Sequence, residues 1–299
     1  MSSVNHRGIP FLSLARLIRL PNVFTAPPDV LAGWALVGFG ITPSLDLVCV
    51  VAGSVLLYAS GMIWNDWFDI DQDRRDRPAR PLPSGDISVR AAFILGMLTL
   101  IAGMGLCWAI NARVGLLSMI LAGSILAYDG LFKSWPIAPA IMGLCRSLNL
   151  LLGAVAASPH EIPMQAWWFA LASGLFITGV TLFARQEAKP SSRPLLLAGA
   201  SIMLLGLLFW TVLWINIDSG RLRIFFVAPW VTGWVMTRLV LAIRSLSPGD
   251  VQRAIKTSIF SLVVCQAITI VWAGSPAWGL IAILHLLPAI ILGRWLYST

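Results

Sequence analysis

A series of apolar stretches, each close to the length of a membrane-spanning helix, constrains this chain more than any other feature. A helix rising 1.5 Å per residue needs about 20 apolar residues to cross a hydrocarbon layer ~30 Å thick. Ten stretches approach that length: 22–42, 46–64, 89–110, 114–130, 137–157, 165–183, 194–215, 223–243, 256–273 and 277–296. The fourth is short. Only a break from Gly274 to Pro276 separates the last two, which read either as two spans or as a hairpin that does not fully cross. Charged residues make up only 11% of the chain, against roughly 25% in soluble domains. The sequence therefore predicts an all-α integral membrane protein, a single domain over 1–299. Arg7, Arg16 and Arg19 in the first twenty residues argue against a cleavable signal peptide. Residues 11–20 read as an amphipathic lead-in on the membrane surface, with Phe11, Leu12 and Leu14 set against Arg16 and Arg19.

The net charge of +8 is explained by topology. Sixteen of the 21 Lys and Arg residues fall in alternate loops on one side of the predicted spans, and three fall on the other. By the positive-inside rule the rich side is cytoplasmic. That side carries the two most polar loops, 65–88 and 184–193, and leaves no basic face for nucleic acid. The expected location is the inner membrane, multi-pass, with the Asp-rich loops cytoplasmic. Cys49, Cys107, Cys145 and Cys265 are scattered through apolar segments and suggest neither disulfides nor zinc.

Five of the 13 acidic residues, Asp66, Asp69, Asp71, Asp73 and Asp76, fall within 11 positions at the end of the second stretch. Carboxylates at a bilayer edge are costly and are functional candidates by default. Asp66, Asp69 and Asp73 are spaced i, i+3 and i+7, so they share one face of a continuing helix. Asn65 can turn its amide to the same place. Clustered carboxylates tolerate one another when a cation lies between them, and hard oxygen ligands suit Mg²⁺, which commonly bridges carboxylates to substrate phosphates. The plainer alternative is a solvated mixed-charge loop held by Arg74, Arg75, Arg77 and Arg80.

The run from Asn65 to Asp73 (NDWFDIDQD) resembles the N-D-x-x-D-x-x-x-D motif of the UbiA superfamily of intramembrane prenyltransferases. The run from Arg80 to Gly85 (RPLPSG) is similar to the segment that follows it in that family. Tyr128 and Lys133 resemble a Y-x-x-x-x-K pattern whose Lys contacts diphosphate. Arg146, Asn149 and Gly153 resemble an R-x-x-N-x-x-x-G pattern in the fifth helix. The resemblance implies nine spanning helices, or ten if the last stretch crosses, around a central cavity. It implies transfer of an isoprenyl group from a prenyl diphosphate to an acceptor, with Mg²⁺ as cofactor and membrane lipid as surroundings. Asp66, Asp69 and Asp73 would hold the metal. Lys133, Arg146 and Arg185 would neutralise the departing diphosphate. Asn65, Asp73, Tyr128, Asn149, Glu187 and Arg80 would bind substrate. Tyr128, Trp64 and Phe68 are candidates to shelter an allylic cation.

The pattern departs from the family in one place. The family's second Asp-rich motif is replaced here by Thr181 to Lys189 (TLFARQEAK), in which only Glu187 is acidic. The substitution resembles the EboC-like branch of the superfamily. An Arg fork binds phosphate oxygens well, so Arg185 is expected to supply charge that a second metal would carry. A carrier of lipid-linked intermediates that performs no chemistry is the competing reading. A CDP-alcohol phosphotransferase is disfavoured, because Asp129-Gly130 begins its D-G-x-x-A-R motif but the Ala-Arg is absent.

Overall fold

The computed structural model describes residues 11–38, 40–158, 161–186, 192–216 and 227–296. These residues form helices joined by short turns, with no strand among them. The surface lead-in is a short helix, α1 (Phe11–Leu17), followed by α2 (Leu20–Val23). The first long apolar stretch forms only a 12-residue helix, α3 (Pro27–Gly38). Its start is set by Pro27 and Pro28, because proline is tolerated in a first turn and not further in.

The long helices follow in order: α4 (Leu45–Phe68), α5 (Ile70–Asp76), α6 (Val89–Ile110), α7 (Ala112–Ala127), α8 (Ala138–Ala157), α9 (Met164–Ala184) and α10 (Arg193–Asn216). The last group is α11 (Val227–Ser245), α12 (Pro248–Trp272), α13 (Pro276–Leu284) and α14 (Leu286–Leu296). Polar residues placed just before apolar runs begin several of them. Ser44, Ser88, Asn111 and Ser247 each accept a backbone N–H of the helix they start.

Among the described residues, eight helices are long and apolar enough to cross a membrane. Two of the ten expected stretches, 22–42 and 223–243, fall short of these for local reasons. α3 is short, and α11 carries Arg238 and Arg244. The last stretch is one 21-residue apolar unit, Pro276–Leu296, broken at His285. At 1.5 Å per residue it reaches about 31 Å, enough to span. Gly274, with φ at +92°, turns the chain back so that α13 packs on α12. Leu98, Ile120, Leu205, Leu208, Leu280 and Ile291 are more than half or nearly half exposed on the helix surfaces, as a lipid-facing belt requires.

The core of the bundle is close backbone packing. A Cβ on Gly33 would lie 1.9 Å from the Leu150 carbonyl oxygen, and one on Gly153 would lie 2.0 Å from that of Val30. Only glycine at these two positions lets α3 and α8 touch along their length. Gly153 thus admits α3 against α8.

Candidate active site

The acidic end of the second stretch is an almost unbroken helix. The Asp69 N–H reaches the Asn65 carbonyl at 3.1 Å and the Asp73 N–H reaches that of Asp69 at 2.8 Å, carrying the turn from α4 into α5. One face therefore presents Asn65, Asp66, Asp69 and Asp73. Asp66 and Asp73 are buried, whereas Asp71 and Asp76 point to solvent.

Three basic side chains converge on this face, Arg80 from the loop that follows α5 and Arg19 and Lys133 from distant parts of the chain. Arg80 bridges Asp66 and Asp73, its Nη1 lying 3.3 Å from Asp66 Oδ1 and 2.6 Å from Asp73 Oδ2. The segment after it explains how it is aimed. Ser84 N–H donates to the Arg80 carbonyl at 2.9 Å, and Gly85 takes φ +81° while its N–H donates to Leu82. Leu82 and Ile87 then bury against Leu17, Ile63 and Ala92, pinning the loop to the bundle. The Arg80–Gly85 run is thus a turn that delivers a guanidinium.

Arg19 is the second cation. It sits between α1 and α2 with φ at +48°, a left-handed backbone that a non-glycine residue rarely takes. Its Nη2 donates to Asn65 Oδ1 at 3.0 Å and to Asp66 Oδ1 at 2.9 Å. Lys133 is the third and forms an ion pair with Asp69. Lys133 follows a single π turn, Tyr128–Phe132, that ends α7. Such turns insert an extra residue and often mark functional sites.

The π turn also brings in a carboxylate that motif reading missed. Asp129 is buried and accepts a hydrogen bond from Asn65 Nδ2 at 2.9 Å. Its signal in the sequence was slight: one acid inside an apolar stretch, four residues before a lysine. Arg19 was visible only as part of an amphipathic lead-in. The site thus holds Asp66, Asp69, Asp73 and Asp129 against Arg19, Arg80 and Lys133. Burial pushes the Asp73 carboxyl above the ordinary 3.8, and Arg80 beside it opposes that rise.

The donor set fits a hard cation, since it offers only carboxylate and amide oxygens. Among the described residues, however, no three His, Cys, Asp or Glu side chains gather around one point. The reason is visible in the pairing: Asp66, Asp69 and Asp73 are each turned onto a basic side chain.

The other expected residues fall in different places. Tyr128 lies in the π turn, half-buried, next to Asp129. Arg185 is exposed at the end of α9 and donates to the Ser134 carbonyl at 2.7 Å, beside Lys133 in sequence. Glu187 lies outside the described residues. Arg146 and Asn149 make their contacts away from the carboxylate face. Arg146 pairs with Asp29 and donates to the Thr25 carbonyl at 2.7 Å. Asn149 donates to the Ala26 carbonyl at 3.1 Å and to Asp29 Oδ2 at 3.0 Å, and accepts from Ser54 at 2.6 Å. These two residues clasp α8 to α3. Trp64 and Phe68 pack against each other, with centroids 5.8 Å apart, and Trp64 packs edge-on against Phe93 at 5.4 Å. Trp64 serves the α4–α6 contact, whereas the Phe68 ring lies against Gly130 of the π turn, where an added Cβ would meet it at 2.9 Å.

The model of the UbiA prenyltransferase family matches residues 27–260. A digeranylgeranylglyceryl phosphate synthase of Methanothrix thermoacetophila is 33% identical over 153 residues, 50% of this chain and 57% of that protein. A 4-hydroxybenzoate octaprenyltransferase of Shewanella baltica is 33% identical over 130 residues, 42% of this chain and 45% of that protein. The chain thus spans about half the length of the curated relatives it matches. The fold resembles a solved structure of digeranylgeranylglyceryl phosphate synthase at a TM-score of 0.67 and 22% identity, over 88% of this chain and 98% of that one. It also resembles a UbiA homologue from Archaeoglobus fulgidus, bound to DMAPP and Mg²⁺, at a TM-score of 0.66 and 16% identity, over 91% and 99%. With a family match across more than two thirds of its length, the chain belongs to the UbiA prenyltransferase family.

Proposed function

We propose that the protein is an Mg²⁺-dependent intramembrane prenyltransferase that moves an isoprenyl group from a prenyl diphosphate to an acceptor and releases diphosphate. The observation that carries this reading is the face on which Asn65, Asp66, Asp69 and Asp73 meet Arg19, Arg80 and Lys133 at the edge of an apolar bundle. Relatives named as prenyltransferases, and a related fold solved with DMAPP and Mg²⁺, support it.

Asp66, Asp69 and Asp73 are the residues to hold the metal, which when bound would offset the charge of the diphosphate. Arg19, Arg80 and Lys133 are the donors to its phosphate oxygens. As the allylic C–O bond breaks, both bonding electrons leave with the diphosphate, and these three cations stabilise the charge that develops there. Arg185 adds positive charge from the Ser134 side, in the place where the family's second acidic motif is absent. Arg146 and Asn149 make their contacts with Asp29 and the Thr25 and Ala26 carbonyls instead of the carboxylate face. They hold α3 against α8. The whole chain, 1–299, is one membrane domain, in the inner membrane with the carboxylate face on the cytoplasmic side, as the distribution of Lys and Arg supports.

The test is binding of C10 to C20 prenyl diphosphates to the purified protein in nanodiscs, with Mg²⁺ or with EDTA, for wild type and Asp66→Ala. Binding that needs both the metal and Asp66 supports the reading. Binding indifferent to both would sink it and favour a lipid carrier, a role that the missing second acidic motif also suits.

A further inference from the structure

Asn65 is held from both sides of its amide. Its Nδ2 donates to Asp129 Oδ1 at 2.9 Å, and its Oδ1 accepts from Arg19 Nη2 at 3.0 Å. A carboxylate only accepts and a guanidinium only donates, so one orientation of the amide satisfies both. The opposite orientation would set oxygen against oxygen and nitrogen against nitrogen. Arg19 also binds Asp66, so the Asn65 carbonyl oxygen lies on the side shared by Arg19 and Asp66, and the amide nitrogen lies on the Asp129 side.

Asp129 is suited to this role. It is 7% exposed, and it lies in the first turn of the π segment, one helical turn before Lys133. It comes from the π turn that ends α7 and Asn65 from α4, so the bond also ties that turn to α4 at the site. Arg19 is a weaker guide on its own. It is long, flexible and shared with Asp66, whereas the Asp129 carboxylate is short and buried.

We propose that Asp129 is a positioning residue: it sets the Asn65 amide so that the carbonyl oxygen, and not the NH₂ group, is presented to a Mg²⁺–diphosphate bound at Asp66 and Asp69. The inference rests on the prenyl-diphosphate reading above. Without Asp129 the amide can turn over and present a donor where a cation needs an acceptor.

The experiment measures the Mg²⁺ concentration needed for half-maximal binding of an unreactive probe, geranyl S-thiolodiphosphate, to protein in nanodiscs. Asp129→Ala is expected to raise it about 10–100-fold, the usual effect of removing a partner that orients a metal ligand. Asp129→Asn keeps an acceptor oxygen for Asn65 and is expected to stay close to wild type. Asn65→Asp places two carboxylates against each other and loses binding. Adding Asp129→Asn to it restores a donor–acceptor pair in reverse and recovers binding. Wild-type behaviour of Asp129→Ala overturns the inference while leaving the diphosphate site standing. Failure of Asp129→Asn as deep as that of Asp129→Ala also overturns it, because charge and not orientation would then matter. If Asp129→Ala does not fold, the comparison of Asn65→Asp with the double variant decides, and no rescue overturns the inference. Absence of Mg²⁺-dependent binding in wild type removes the prenyl-diphosphate reading and this inference with it.

Discussion

Arg146 Nε lies 2.8 Å from Asp29 Oδ2, joining α8 to α3 inside the bundle, where Asp29 is fully buried. Gln266 Nε2 approaches the other Asp29 oxygen at 2.8 Å, so α12 joins the same cluster. Removing one partner of such a pair leaves a buried charge without compensation, at a cost of about 3–5 kcal/mol. Arg146→Ala is expected to lower the thermal unfolding midpoint in detergent strongly, and Asp29→Asn with Arg146→Met to lower it less. Equal stability of Arg146→Ala and wild type would contradict the clasp. If the folded Arg146→Ala protein lost only prenyl-diphosphate binding, Arg146 would return to the site.

The close approach of α3 and α8 makes a second prediction. A Cβ on Gly153 meets backbone, the Val30 carbonyl oxygen at 2.0 Å, and backbone cannot rotate away. Gly153→Ala is expected to destabilise by at least the ~1–3 kcal/mol of ordinary overpacking. Gly105, on α6, has nothing within 4 Å of its added Cβ. Gly105→Ala should therefore be neutral or stabilising, by up to ~1 kcal/mol of helix preference. Monodispersity on size exclusion and unfolding midpoints would check the pair.

Arg80 holds two carboxylates at once, Asp66 and Asp73. In the absence of substrate, Arg80→Ala leaves both facing each other with less compensation. Its expected effect is weaker prenyl-diphosphate binding by about tenfold or more, since a charge-assisted contact contributes ~1.5–3 kcal/mol. Arg80→Lys keeps the charge but not the fork and should recover only part of it. Isothermal titration with geranyl diphosphate and Mg²⁺ would measure both, and full affinity in Arg80→Ala would show that Arg80 serves the apo site alone.

A pH dependence follows from Asp73. Burial raises its folded pKa above the ordinary 3.8. A raised carboxyl binds its proton more tightly in the folded state, so this group favours folding at low pH and loses that contribution as pH rises from 3.8 through the folded value. Metal binding has the opposite sign, because a ligand must be deprotonated. Mg²⁺ affinity should therefore fall on acidification at a higher pH than an ordinary Asp would cause. Asp73→Asn should lower the affinity and flatten that part of the profile. An unchanged profile in Asp73→Asn would remove Asp73 from the metal set.

Much of the site was legible because it is local. Asp66, Asp69 and Asp73 share a face through helical spacing alone, and the helix continues through them as that spacing requires. The turn after Arg80 is likewise written in Pro81, Pro83 and Gly85. The R-x-x-N-x-x-x-G pattern was also legible as one face of α8, but not what that face meets. Spacing says which residues look the same way, whereas only packing says at what.

The chain's own order of residues determined the membrane class, the positions of the apolar helices, their polar caps and the register of the acidic face. These depend on hydrophobicity and periodicity within one segment. The tertiary structure decided the partners. It brought Arg19 from 47 residues away onto Asp66, set Asp129 beneath Asn65 across 64 residues, and turned Arg146 towards Asp29. Each of those pairings spans separate helices, and it exists only because glycine faces, proline starts and a π turn fix how those helices pack.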